Sequence, residues 1–162
     1  MTEHKQLSLS MWFAVAGVVF SLDQATKYLA MLVLEPHVPV SVLPGLDLTL
    51  LFNRGAAFSL LSDAGGWQRW FFSVFTGAIV ILIIIWMYRL SRGQVWLLCA
   101  LSFVLGGAMG NLWDRLTLGV VVDFIDVHYK DWHWPAFNVA DSTISVGAVM
   151  LLVSGLYPRK DA

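Results

Sequence analysis

Apolar residues fall into two patterns along this chain. In the first they dominate long stretches with few charged residues, over about Met11–Val33, Trp70–Leu90, Val95–Trp113 and Phe137–Tyr157. Each run is close to the roughly 20 residues that a helix needs to cross ~30 Å of hydrocarbon. A helix satisfies its own backbone, which an open strand in lipid cannot, so four transmembrane helices are predicted. In the second pattern polar and apolar positions alternate. In "GLDLTLLFN", Leu46, Leu48, Leu50 and Phe52 alternate with Asp47, Thr49, Leu51 and Asn53. A period of two predicts a half-buried strand. "VPVSV" is its candidate partner across a Pro44-Gly45 turn. "VVDFIDVHY" is a further strand, with Asp123, Ile125, Val127 and Tyr129 on one face. The expected fold is an all-α membrane protein: four transmembrane helices with a small β-sheet, a cradle, on the outer face. The expected organisation is a single membrane-embedded domain over 1–162, with outer loops at about 35–66 and 114–136 and no internal repeat.

Composition agrees with the class. The 162 residues are 58% hydrophobic and 13% charged, against about 45–50% and 25% for a soluble domain. All eight tryptophans, Trp12, Trp67, Trp70, Trp86, Trp96, Trp113, Trp132 and Trp134, fall near the ends of the apolar runs, where interfacial rings belong. The first run lacks a small-residue cleavage site and carries Glu3 ahead of it, so it reads as a span and not as a removed leader. Lys5, Arg89, Arg92, Arg159 and Lys160 would share one side, and Arg54, Arg69, Arg115 and Lys130, spread over longer segments, the other. That density places both termini and the "RLSRGQ" turn inside. No nucleic-acid partner is expected.

Polar residues within the runs carry the chemistry. A central Asp or Lys costs about 2.5–3.5 kcal/mol on insertion, so such residues usually face a bundle interior. At 1.5 Å per residue, Asp23 lies ~18 Å and Asn111 ~24 Å above the inner edge, and Asp141 ~6 Å below the outer edge. Asp123 and Asn53 belong to the loops at that same end, so one site is possible in the outer half of the bilayer. Asn138, Asp141 and Ser145 share a helical face, as do Gly107, Asn111 and Asp114. Ser102, Gly106 and Gly110 form a small-residue ridge for close helix contact. Asp23–Lys27 reads most simply as a structural ion pair and Asp114–Arg115 as a helix end. Asn111 and Asn138 either join helices or serve the site. Asp126, His128, Asp131 and His133 match no standard metal spacing and read as a surface loop. The lone Cys99 makes no intramolecular disulfide.

Asp123 with Asp141 is harder to explain structurally. Two neighbouring carboxylates cannot both ionise easily and so share a proton. The ionised one can take a proton from water while the protonated one polarises a carbonyl and later serves the leaving amine. That is aspartic peptide hydrolysis, with no metal and no cofactor. A proton-coupled transporter, a non-catalytic membrane subunit, and a Ser–Lys peptidase using Lys27 are the competing readings. Large loops and acids gathered at one end disfavour a transporter, whose site belongs near the midplane.

"LDQATK" (22–27), "NRGAAFS" (53–59), "GGAMGNLWDR" (106–115), "VVDFIDV" (121–127) and "FNVADS" (137–142) together resemble the motifs of the lipoprotein signal peptidases, signal peptidase II, in order and spacing. The resemblance implies a catalytic pair at Asp123 and Asp141, supported by Asp23, Asn53, Asn111, Asp114, Arg115 and Asn138. Lys27 and Gly107 join the supporting set through their helical spacing. The resemblance further implies cleavage of prolipoproteins just before a diacylglyceryl-modified cysteine, in the bacterial cytoplasmic membrane, and inhibition by globomycin. Membrane lipid is an expected partner, and the chain is expected to act as a monomer.

Overall fold

The computed structural model describes residues 8–54, 67–90 and 93–156. Lys5, Arg92, Arg159 and Lys160, on which the expected orientation partly rests, lie outside the described residues, as does the "GAAFS" part of "NRGAAFS". The order of elements is α1 (Leu9–Val33), β1 (Val40–Leu43), β2 (Leu46–Asn53), α2 (Trp67–Arg89), α3 (Val95–Thr117), β3 (Val121–Tyr129), β4 (Trp132–His133) and α4 (Val139–Leu156). All four helices are long and apolar enough to cross a membrane.

Helix α3 is the central one: 56% of its most apolar window is buried, against 22% or less for the other three. Lipid offers little hydrophobic drive for helix association, so close packing has to supply it. Two glycines show how. A Cβ on Gly106 would stand 2.6 Å from the Ala16 carbonyl oxygen of α1, and one on Gly107 would stand 2.5 Å from the Ala140 carbonyl oxygen of α4. Neither helix could come so near any larger residue. The small-residue ridge therefore faces α1, and Gly107 belongs to the α3–α4 contact. Away from α3 the helices expose Val18, Leu29, Val74, Leu82, Val149 and Leu152, as lipid-facing surfaces should. Trp12 departs from the interfacial belt. It is buried in an apolar cluster with Ala16, Ile83, Met87, Leu98, Leu101 and Leu105.

Helix α3 also continues one turn beyond the apolar run. Asp114 and Arg115 lower the hydropathy there, yet both lie within the helix, which ends at Thr117. The polar side chains are accommodated because they face other polar groups.

The sheet has the order β1-β2-β3-β4, antiparallel throughout. Pro44-Gly45 turns β1 into β2, with Gly45 at φ +84° and its carbonyl accepting from His128 N–H at 2.9 Å. Leu48 pairs with Ile125, but the next pair is Leu51 with Asp123. Two residues of β2, Thr49 and Leu50, thus oppose the single Phe124: a β-bulge. It reverses the parity of the strand. Leu46 and Leu48 share a face with Leu51 and Asn53, where simple alternation puts Asn53 on the opposite face. Asp123 lies on that same face of β3. The bulge is held from outside the sheet by His37 N–H, which donates to the Leu50 carbonyl at 3.0 Å. Alternation also fails as a guide to burial in β3, where Val121, Val122, Asp123 and Phe124 are all buried.

Candidate active site

Helix α4 begins where a free helix end would leave backbone N–H groups unsatisfied. Asn138 precedes it. Its Oδ1 accepts from Asp141 N–H at 2.9 Å, while Asp141 Oδ2 accepts from Asn138 N–H at 3.2 Å. This is the reciprocal arrangement of a capping box, built from Asn and Asp. A third donor, Ala140 N–H, goes to Asp23 Oδ1 of α1 at 2.8 Å. Asp141 is thereby fixed at the positive end of a helix, and its other oxygen accepts from Asn111 Nδ2 of α3 at 2.8 Å.

Asp123 comes to the same place from the sheet. The residue is 3% exposed. Oδ1 accepts from Asn138 Nδ2 at 2.7 Å and Oδ2 from Asn53 Nδ2 at 3.0 Å. The parity change described above is what turns Asn53 toward it. Asn138 therefore touches both acids, one with its amide nitrogen and the other with its oxygen and backbone. Burial pushes the Asp123 carboxyl from 3.8 up to about 6; the Asn53 hydrogen bond opposes this and the nearby Asp141 charge adds to it, as expected for a desolvated acid beside a like charge.

Asn111 links Asp141 to a buried cation. Lys27, 1% exposed, sits 2.8 Å from Asp23 Oδ2 and 2.8 Å from Asp114 Oδ2, and donates to Asn111 Oδ1 at 3.0 Å. Three ammonium donors meet three acceptors. The two carboxylates are also used elsewhere. Asp114 Oδ2 accepts from Val122 N–H of β3 at 3.2 Å, and Gln24 Nε2 donates to Asp114 Oδ1 at 2.9 Å. The Asp23–Lys27 pair is thus part of a network joining α1, α3, β3 and α4. Arg115 donates from Nη1 to the Asn111 carbonyl at 3.2 Å, with its guanidinium 5.7 Å from the Phe72 ring centre.

His128 and His133 bond to other acids. His133 Nδ1 is 2.8 Å from Asp126 Oδ1, His128 Nε2 is 3.4 Å from Asp47 Oδ2, and the two rings stack at 5.0 Å. They serve the β3–β4 hairpin.

Residues 15–157 match a family model described as Signal peptidase (SPase) II. The chain belongs to the signal peptidase II family. It is 50% identical to a lipoprotein signal peptidase of Acinetobacter baumannii over 92% of this chain and 85% of that one. It is 51% identical to one of Polynucleobacter necessarius over 91% and 90%. A solved bacterial membrane enzyme, determined by the in meso method at 1.9 Å, superposes with a TM-score of 0.83 and 31% identity, covering 98% of this chain and 99% of that one. The protein is accordingly a multi-pass membrane peptidase.

The structure brings most of the expected signal peptidase II residues into one constellation. Asp123, Asp141, Asn53, Asn111 and Asn138 meet directly. Lys27, Asp23 and Asp114 anchor them through Asn111, Val122 N–H and Ala140 N–H. Gly107 contributes close packing of α3 on α4 and no polar contact. Two participants went unrecognised in the sequence. Gln24 sits within "LDQATK", and its position one residue from Asp23 was the available signal. Phe72 gives no signal, since one aromatic in an apolar helix looks like any other.

Proposed function

We propose that the chain is an intramembrane aspartic endopeptidase that removes signal peptides from diacylglyceryl-modified prolipoproteins, cutting just before the lipidated cysteine. The observation that carries this reading is the shared Asn138, which bonds to two carboxyl groups, one of them the buried Asp123 with its raised pKa. Asp123 is the acid that takes a proton first. Asp141, held by the α4 N-terminus and Asn111, acts as the base. A water between them gives a proton to Asp141 and its oxygen to the scissile carbonyl carbon, while Asp123 gives its proton to the carbonyl oxygen. The tetrahedral species then breaks its C–N bond. The amine leaves with the proton held by Asp141, and the new hydroxyl returns a proton to Asp123. Asn53, Asn111 and Asn138 keep the acids aimed throughout, and Arg115 contributes positive charge nearby.

The network lies at the sheet end of the bundle. We place this end toward the outer face of the bacterial cytoplasmic membrane, with both termini cytoplasmic and the whole chain, 1–162, working as one monomeric domain. There the lipid chains of a substrate stay in the leaflet while its peptide bond reaches the acids. A globomycin-type inhibitor would occupy the same place. The relatives named lipoprotein signal peptidase support the substrate assignment.

The test is purified protein with a synthetic diacylglyceryl-modified precursor peptide, products read by mass spectrometry, with and without EDTA. Cleavage before the modified cysteine in both conditions is the expected result. No cleavage by the lone chain would favour the subunit or transporter readings. Loss on chelation, restored by a divalent cation, would overturn the cofactor-free mechanism.

A further inference from the structure

The end of α3 is where the chain leaves the bundle for the strand carrying Asp123, and a helix end leaves carbonyl groups without partners. Three of them are taken here. The Asp114 carbonyl accepts from the backbone N–H of Leu118 at 2.7 Å and of Gly119 at 3.2 Å, the latter in the left-handed region at φ +81°. The next two are taken by another helix. Arg69, in the first turn of α2, donates from Nε to the Arg115 carbonyl at 2.7 Å and from Nη2 to the Leu116 carbonyl at 2.7 Å. A planar guanidinium spans two neighbouring oxygens as an ammonium cannot, and its charge sits at the negative end of α3. Gly119 leaves the space it needs: a Cβ there would stand 3.3 Å from Arg69 Nη1. Three residues along α2 from Arg69, Phe72 lies beside the Arg115 guanidinium. Among the bonds described at the two acids, none comes from helix α2. It nevertheless grips Arg115 twice, by backbone and by side chain.

We propose that Arg69 is a positioning residue for the peptidase reaction: its fork on the last turn of α3 fixes the Arg115 guanidinium beside the Asp123–Asp141 pair. This rests on the peptidase reading above. Arg115 is within electrostatic reach of Asp141, Asp123 and Asp114, so displacing its cation changes the field at both acids without removing either.

The experiment compares wild type, Arg69→Lys and Arg69→Met in nanodiscs, with the lipidated precursor peptide. It reads kcat, KM and the pH–rate profile, together with the Nε–H resonance of Arg115 in arginine-labelled protein. For Arg69→Met, kcat is expected to fall roughly 10- to 100-fold, the scale of a small misplacement at a reacting centre. KM should change much less, and the acid limb should move to higher pH. Arg69→Lys keeps the cation without the fork and should recover only part of kcat. Should Arg69→Met fail to fold, Arg69→Lys is read in its place. A folded variant with wild-type kcat and profile, whatever its thermal stability, would reduce Arg69 to a structural cap and overturn the inference. If wild type itself does not cleave, the peptidase reading fails separately. The Arg115 resonance then decides the grip, and an unchanged signal in Arg69→Met rejects it.

Discussion

Away from the sheet, α1, α2 and α3 meet through Trp12, Ala16, Ile83, Met87, Leu98, Leu101 and Leu105. At the sheet end α1, α3 and α4 meet through Asp23, Lys27, Asn111, Asp114, Asn138 and Asp141. The first contact is non-directional. Any set of side chains that fills the space at low strain will hold it. The second is directional and counted. Every donor on Lys27 has an acceptor, and Asn138 holds the Asp123 carboxylate with its side-chain amide and the Asp141 carboxylate with its backbone N–H. A bundle in lipid can be held by the first kind alone. The second kind fixes where particular atoms stand, and the proposed chemistry depends on that.

Exchanging an acid for its amide should break this contrast most sharply. Asp123→Asn and Asp141→Asn keep shape and lose the proton shuttle proposed for the pair. Each is expected to abolish cleavage of the lipidated peptide while the purified protein stays folded and inserted. Substantial turnover by either variant would reject the pair. Next in size is Lys27→Met, which leaves the buried Asp23 and Asp114 carboxylates facing each other without a cation. Breaking one partner of a buried pair typically costs about 3–5 kcal/mol. Thermal unfolding in detergent should show a large loss, and a wild-type midpoint would mean that water or protonation replaces the ammonium at little cost.

A smaller effect follows from Asp123. Its carboxyl titrates at about 6 in the folded chain against 3.8 for an ordinary one. The folded state therefore binds more protons than the unfolded state between those values. That contribution to stability is complete below the lower value and lost as pH rises through the upper one. Unfolding midpoints measured across this window should fall more steeply in wild type than in Asp123→Asn. Parallel slopes would show that the raised acidity is not linked to folding. Smallest of all, Met87→Leu in the apolar cluster conserves volume and should cost less than about 1.5 kcal/mol, with turnover of the folded protein unchanged. A loss of activity there would mean that the two ends are coupled after all.

Apolar runs and alternation made the helices and the two long strands legible. Depth counting and acid spacing brought Asp123 and Asp141 to one end. The remainder depended on relations between elements. Hydropathy ends α3 too early because Asp114 and Arg115 look like solvent-facing charges until their partners are known. The buried network could not be separated from a plain ion pair, since Asp114 joins Lys27 only when α1 and α3 are packed. In the sequence Arg69 is only one more cation of the outer side, because its acceptors are backbone carbonyls 46 and 47 residues away, and carbonyls leave no mark on composition.

The doubled step at Thr49 and Leu50 gives β2 an odd kind of information content. Residue identity says what Asn53 can donate. The count of residues before it says whether anything is there to receive the donation. Removing one residue at the bulge would leave the strand's chemical character almost untouched and make its ladder with β3 more regular, yet Asn53 would point out of the site. Regularity and competence are therefore opposed in this strand. A redesign guided by ideal strand geometry would erase the irregularity that brings Asn53 to Asp123, and a comparison of side chains without their spacing would not detect the loss.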